Sequence, residues 1–285
     1  PYTISTTFTQ GIDGYETESN NTAAEADSII SGDPITGVIN DQNDDDWYVF
    51  DVSAPGLLSV DLSSMLLPYY AGSDYFNITV YDSGIGTLSS RRGSGVTSVE
   101  GSLSFPVAAT TSGLYYIKVE VADTHTTDPY NLTVNFTEGS LTSFTEDYET
   151  EPNTSNPYYE DQFVDAIAFG KDMQGSLHEQ YDIDWYKLDV TEQGVINVTF
   201  NIDGWNTSSN DNFELQLFSS DSLLSPMATE HAGANGTYHQ FDVPIADPSL
   251  DYYLSVGTRA GSNYEPDPYT ISTTFTQGID GYETE

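Results

Sequence analysis

Two short acidic segments carry the residues best suited to chemistry. Glu16 and Glu18 alternate with Tyr15 and Thr17, and Asn20 and Asn21 follow at once. Further on, Asp44 and Asp46 alternate directly ahead of Trp47. Alternate side chains of an extended backbone leave the same face, so each pair aims two carboxylates one way. The second half of the chain offers Glu149, Glu151, Asn153, Asp182 and Asp184 in matching order. Calcium takes six to eight hard oxygens in flexible geometry, and these are its ligand types. Bringing the two segments of either set together without a cation would crowd four carboxylates. The competing reading is that they are ordinary acidic connector and turn residues on an acidic surface.

Catalytic chemistry has little to work with. His125, His178, His231 and His239 occupy unrelated places and no two have metal-ligand spacing. No nucleophile elbow, phosphate loop or zinc motif is present. Paired acids occur throughout the chain, so two neighbouring carboxylates do not indicate catalysis. With 6 Lys+Arg against 45 Asp+Glu the net charge is −39, which repels nucleic acid and anionic membranes. There is no cysteine, so no disulfide and no redox compartment to read. No apolar run is long enough to span a membrane as a helix. The absence of an initiator Met and of a signal segment reads as a mature fragment or a piece of something longer.

The elements that position these acids come in duplicate. Tyr-Glu-Thr-Glu starts at residues 15, 148 and 282, and the stretch PYTISTTFTQGIDGYETE occurs at both 1–18 and 268–285. NDDDWYVFDVSAPG at 43–56 answers YDIDWYKLDVTEQG at 181–194, and YYIKV at 115–119 answers YYLSV at 252–256. The chain therefore holds two homologous domains, placed at 13–137 and 148–275, with a linker at 138–147 and a further linker starting at 276–285. Residues 1–12 read as the closing strand of a preceding repeat. A continuous tandem array of alternating domains is the preferred explanation; a strand donated head-to-tail to a neighbouring chain is the other.

Period-two alternation at Tyr130, Leu132, Val134 and Phe136, and at Tyr269, Ile271, Thr273 and Phe275, gives strands with one buried and one wet face. Tyr48, Phe50 and Val52, matched by Tyr186, Leu188 and Val190, share one side of an earlier strand, and Trp47 and Trp185 face the other way. Further strands are expected at 76–81, 101–107, 114–121, 212–218, 237–243 and 251–257. Helical spacing is almost absent. The fold class is all-β: two tandem antiparallel jelly-roll-like β-sandwiches.

These residues carry a family resemblance. Glu-x-Glu-Pro-Asn at 149–153, Asp-x-Asp-Trp-Tyr at 44–48 and 182–186, the Tyr-Tyr strands and the closing Asp-Pro-Tyr strands resemble pre-peptidase C-terminal domains. They are similar also to the related collagen-binding domains of secreted clostridial collagenases. The resemblance covers both domains. It implies eight-stranded jelly-roll-like sandwiches, non-catalytic accessory roles in secreted proteins, and calcium. The second domain departs from the collagen-binding pattern at Thr154 and Tyr181.

Asn-x-Ser/Thr sequons occur at Asn20, Asn77, Asn131, Asn135, Asn153, Asn197, Asn206 and Asn235. They are candidate N-glycan acceptors on an extracellular, cell-surface protein, archaeal by preference and not excluding bacteria. Asn20 and Asn153 do not easily serve both as acceptors and as inward calcium ligands. The leading expectation for function is a structural repeat of an extracellular filament, stalk or sheath, with copies of itself as partners and calcium stiffening each linker. The alternative is an adhesive module of a secreted hydrolase, with Tyr69, Tyr70 and Trp205 as candidate contacts.

Overall fold

The computed structural model describes residues 14–64, 74–94, 101–122, 125–140, 147–151, 153, 164–177, 181–202, 211–233, 239–260 and 268–278, together with Thr3 and Ser5. The rest of the expected closing strand at 1–12, most of the linker, His178, Tyr69, Tyr70, Trp205, Asn206 and Asn235 lie outside the described residues.

The first half forms β1 (Asp27–Ser28), β2 (Ile35–Gly37), β3 (Asp45–Val52), β4 (Gly56–Ser64), β5 (Asp74–Tyr81), β6 (Thr87–Ser94), β7 (Gly101–Ala109), β8 (Gly113–Val121) and β9 (Tyr130–Glu138). One sheet runs β1-β3-β8-β5-β6 and the other β2-β9-β4-β7. The second half repeats the plan with β10 (Asp147–Tyr148), β11 (Asp165–Ile167), β12 (Asp172–Gly175), β13 (Ile183–Leu188), β14 (Gly194–Ile202), β15 (Asp211–Ser219), β16 (Ala228–Gly233), β17 (His239–Ile245), β18 (Tyr252–Thr258) and β19 (Tyr269–Gln277). Its sheets run β11-β13-β18-β15-β16 and β10-β12-β19-β14-β17. The chain is thus two tandem β-sandwiches.

Alternation produces the cores. Tyr48, Phe50, Val52, Leu58, Val60, Ile117, Val119, Tyr130, Leu132 and Val134 are buried between the first pair of sheets. Tyr186, Leu188, Ile196, Val198, Phe200, Leu254, Val256, Tyr269 and Ile271 do the same in the second. Burying each large apolar side chain contributes on the order of 2 kcal/mol, which fixes strand register because a one-residue slip would expose the whole set. Trp47 and Trp185 point away from these cores as expected. Trp47 stacks on Tyr81 at 5.1 Å, and Trp185 packs on Phe218 and Tyr253 in a small outer cluster.

The fold corrects the sequence reading in two respects. The sheets are not purely antiparallel: β1 on β3, β10 on β12 and β11 on β13 pair parallel. These pieces of two or three residues cap sheet edges and are too short to show alternation. Edge strands β6 and β16 also escaped expectation, because TLSSRRGS and ATEHAG lack an apolar face. Each sandwich therefore has more than eight strands.

Candidate metal centres

Each acidic motif enters its sandwich beside a short strand. Glu16 N donates to Thr36 O at 3.0 Å, and Glu149 N to Gln174 O at the same distance. One oxygen of each glutamate then accepts a backbone N–H, from Val38 to Glu16 and from Ser176 to Glu149, both at 2.5 Å. A half-buried aspartate holds the next residue: Asp27 Oδ2 accepts Thr17 N–H at 2.6 Å, and Asp165 Oδ2 accepts Thr150 N–H at 2.7 Å. The motif is thereby pinned with its acids facing the sandwich end.

The other half of each centre comes from β3 or β13. Asp46 and Asp184 are both fully buried. In the first sandwich Tyr48 Oη meets Glu16 Oε2 at 2.8 Å and Tyr130 Oη at 2.6 Å, and Tyr130 Oη in turn meets Asp46 Oδ2. In the second, Tyr186 Oη meets Glu149 Oε2 at 3.0 Å and Tyr269 Oη at 2.7 Å, and Tyr269 Oη meets Asp184 Oδ2. Each chain of four groups has three contacts but only two hydroxyl hydrogens. The third hydrogen must come from a carboxyl group, so in this form one acid of each chain is protonated. Burial is the main cause that raises the Asp46 carboxyl, to about 9, with the Glu16 charge adding to it. Burial also raises Glu16, and lifts Glu149 and Asp184 well above the usual carboxylate range.

Glycine makes the tyrosine pair fit. A Cβ at Gly37 would lie 2.6 Å from Tyr48 Oη, and one at Gly175 would lie 2.7 Å from Tyr186 Oη and Tyr269 Cζ. Any side chain there would push the hydroxyls off the carboxylates.

Carboxylate oxygens of Glu16, Glu18 and Asp46 lie within 4.8 Å of one another, and so do those of Glu149, Glu151 and Asp184. Oxygens on opposite sides of one calcium, each about 2.4 Å from it, sit about 4.8 Å apart, so both triads match a calcium shell in size. Asp46 Oδ1 and Asn20 Oδ1 are buried with no hydrogen-bond partner, and so are Asp184 Oδ1 and Asn153 Oδ1. Orphaned buried oxygens cost roughly 1–3 kcal/mol each, so a cation that satisfied them would recover that loss. The donor set fits calcium.

The remaining expected ligands take supporting positions. Asp44 is buried, and its Oδ2 accepts Asn40 N–H at 2.6 Å, outside the triad. Asn21 Oδ1 accepts Asp45 N–H at 3.1 Å. Asp182 is buried beside Asp184. Tyr181, one of the departures, is 85% exposed. The sequence reading missed the hydroxyls of Tyr48, Tyr130, Tyr186 and Tyr269, along with Asp27 and Asp165. The matching positions of Tyr48 with Tyr186 and Gly37 with Gly175 in the two halves were the signal for them.

Among the sequons, Asn20 and Asn153 are corrected. Both are buried, where an oligosaccharide has no access. Asn135 is exposed, and Asn77, Asn131 and Asn197 are half-buried.

No family model matches the sequence, and no curated protein is similar to it. Among solved structures, the pre-peptidase C-terminal domain of a collagenase from Bacillus anthracis is 17% identical over 39% of this chain and 94% of that one, with a TM-score of 0.30. The N-terminal tandem of CBM22 domains from Paenibacillus barcinonensis Xyn10C is 11% identical over 81% of this chain and 82% of that one, with a TM-score of 0.25. The secreted serine protease VesC from Vibrio cholerae is 8% identical over 82% of this chain and 52% of that one, with a TM-score of 0.30. None of these likenesses assigns the chain a family.

Proposed function

We propose that this chain is a non-catalytic, extracellular structural repeat whose two sandwiches each take one calcium ion at the Tyr-Glu-Thr-Glu motif. The observation that carries the reading is the duplicated set of buried, partnerless Asp and Asn oxygens, each facing a pair of motif glutamates. In the first sandwich Glu16, Glu18, Asp46 and Asn20 would hold the ion, with Glu149, Glu151, Asp184 and Asn153 doing so in the second. The ion supplies positive charge that joins the connector preceding a sandwich to that sandwich's own third strand or its counterpart. Connector and sandwich then move as one body, which suits a load-bearing array.

An array is supported by sequence. The residues of β19, followed by a Tyr-Glu-Thr-Glu motif, recur identically at 1–18. Alternation of two sandwich types along a filament, stalk or sheath requires that junction sequence. The −39 charge suits a protein that stays dispersed in a salty medium, and Asn77, Asn131, Asn135 and Asn197 stay as candidate glycan acceptors in this reading. The centres resemble those of pre-peptidase C-terminal domains in their motif residues.

Scanning calorimetry tests the reading. A calcium concentration a hundredfold above Kd stabilises a folded domain by about 2.7 kcal/mol, so both sandwiches should melt several degrees higher in calcium than in EDTA. Electron micrographs of the native assembly should lose straight segments on chelation. Unchanged melting and unchanged straightness would remove calcium from the account.

A further inference from the structure

The two sandwiches correspond residue by residue. Gly56 and Gly194 open equivalent strands, which places Phe105 and Pro106 opposite Phe241 and Asp242 in sequence register. Val119 and Val256 likewise equate Ile78 with Leu215, hence Arg91 with Glu230 and Ser90 with Thr229. Val80 and Leu217 in the same way equate Ser89 with Ala228, and Met227 precedes Ala228 as Leu88, at the bulge of β6, precedes Ser89.

Inside the chain, the β6–β7 face of the first sandwich already meets the metal motif of the second. Leu88, Ser89 and Arg91 line one cavity with Tyr148, Glu149 and Glu151. Ser89 Oγ and Ser176 Oγ are 3.1 Å apart across this junction, and both residues are 6% exposed.

Two of the counterparts are exposed. Met227, just ahead of β16, is 44% exposed, and Tyr15, which answers Tyr148, is 64% exposed. Ala228 replaces Ser89, while Val38 occupies the position of Ser176. A hydroxyl pair is thus exchanged for an apolar pair, of which Ala228 also packs against its own core. One exchange reverses charge. Glu230 stands where Arg91 stands, so a contact of the same geometry sets a third carboxylate against Glu16 and Glu18. Among the described residues, His239 Nδ1 lies 3.8 Å from Glu230.

We propose that the β16–β17 face of one copy seats the Tyr15–Glu18 face of a second copy, reproducing the internal junction, and that this contact closes only when calcium offsets the facing carboxylates. The calcium requirement rests on the metal reading above, whereas the docking geometry does not.

Sedimentation velocity over a concentration series, alongside calcium titration calorimetry, tests both parts. The wild-type protein should associate in calcium and dissociate in EDTA. Met227→Glu should weaken association tenfold or more while leaving calcium binding intact, since it touches no ligand. Glu230→Arg restores the cation of the internal junction and should associate even in EDTA. A wild-type protein that binds calcium yet stays monomeric at all concentrations, as does Glu230→Arg, overturns the docking proposal and leaves the metal reading standing. If Glu230→Arg associates while no variant binds calcium, the docking geometry holds and the calcium requirement fails.

Discussion

Asp184→Asn should weaken calcium binding in the second sandwich by at least a hundredfold, about 2.8 kcal/mol, yet leave the calcium-free protein as stable as before or more so. The two effects have opposite causes. Asp184 is fully buried, and burial with the charges of Glu149, Asp182 and Glu151 holds its carboxyl well above the ordinary range. The metal-free fold therefore tolerates it as the neutral acid, and asparagine has nearly that shape. Above the pH at which Asp184 ionises, the amide also removes the repulsion from the nearby glutamates. Calcium, by contrast, needs the anionic oxygen, and an amide in its place removes a full charge from the shell. Titration calorimetry and melting in EDTA read the two halves separately. Asp46→Asn should act the same way on the first centre alone. Retained affinity in Asp184→Asn, or a fall of many degrees in the EDTA melt, would make the residue a plain structural acid.

The second large effect concerns pH. In EDTA, the protein should lose stability steadily as pH rises from about 4 to about 9. An acid whose carboxyl is raised by folding binds its proton more tightly in the folded state. The stability it contributes is complete below the ordinary carboxylate value and drains away as pH climbs through the raised one. For Asp46 that window runs from 3.8 to about 9. Glu16, Glu149 and Asp184 are raised as well and act with the same sign. Calcium reverses the trend, because the ion replaces the shared proton and binds best where the acids are ionised. Its stabilising effect should be small near pH 5 and largest above pH 8, and binding near neutrality should release protons, seen as an enthalpy that changes with the ionisation heat of the buffer. General repulsion within a chain of net charge −39 has the same sign, but salt screens it. A melting temperature in EDTA and high salt that is flat from pH 5 to 9 would contradict the protonated chains.

Much of this was legible in the sequence because burial writes a period of two. Tyr130, Leu132 and Val134 are all essentially inaccessible, as their alternation required. The carboxylates of each centre were legible too, since Glu16 with Glu18 and Asp46 with Trp47 repeat at matching places in both halves. The tyrosine hydroxyls were not. Tyr48 and Tyr130 look like ordinary core aromatics along their strands, and only the closure of two sheets brings Tyr130, far along the chain, onto Asp46. The parallel edge pieces were hidden for a different reason: Asp27–Ser28 is too short for any pattern to declare a strand. Gly37 signals nothing until the two tyrosines beneath it are placed. Sequons at Asn20 and Asn153 misled because the local triplet carries no information on burial.

The central claim is that each sandwich is built around one calcium ion. Calcium titration of chelator-stripped protein near neutral pH tests it most directly. The account predicts saturation at two ions per chain, one lost in Asp46→Asn and the other in Asp184→Asn. Binding that survives both substitutions together, or no heat of binding at all, would contradict it.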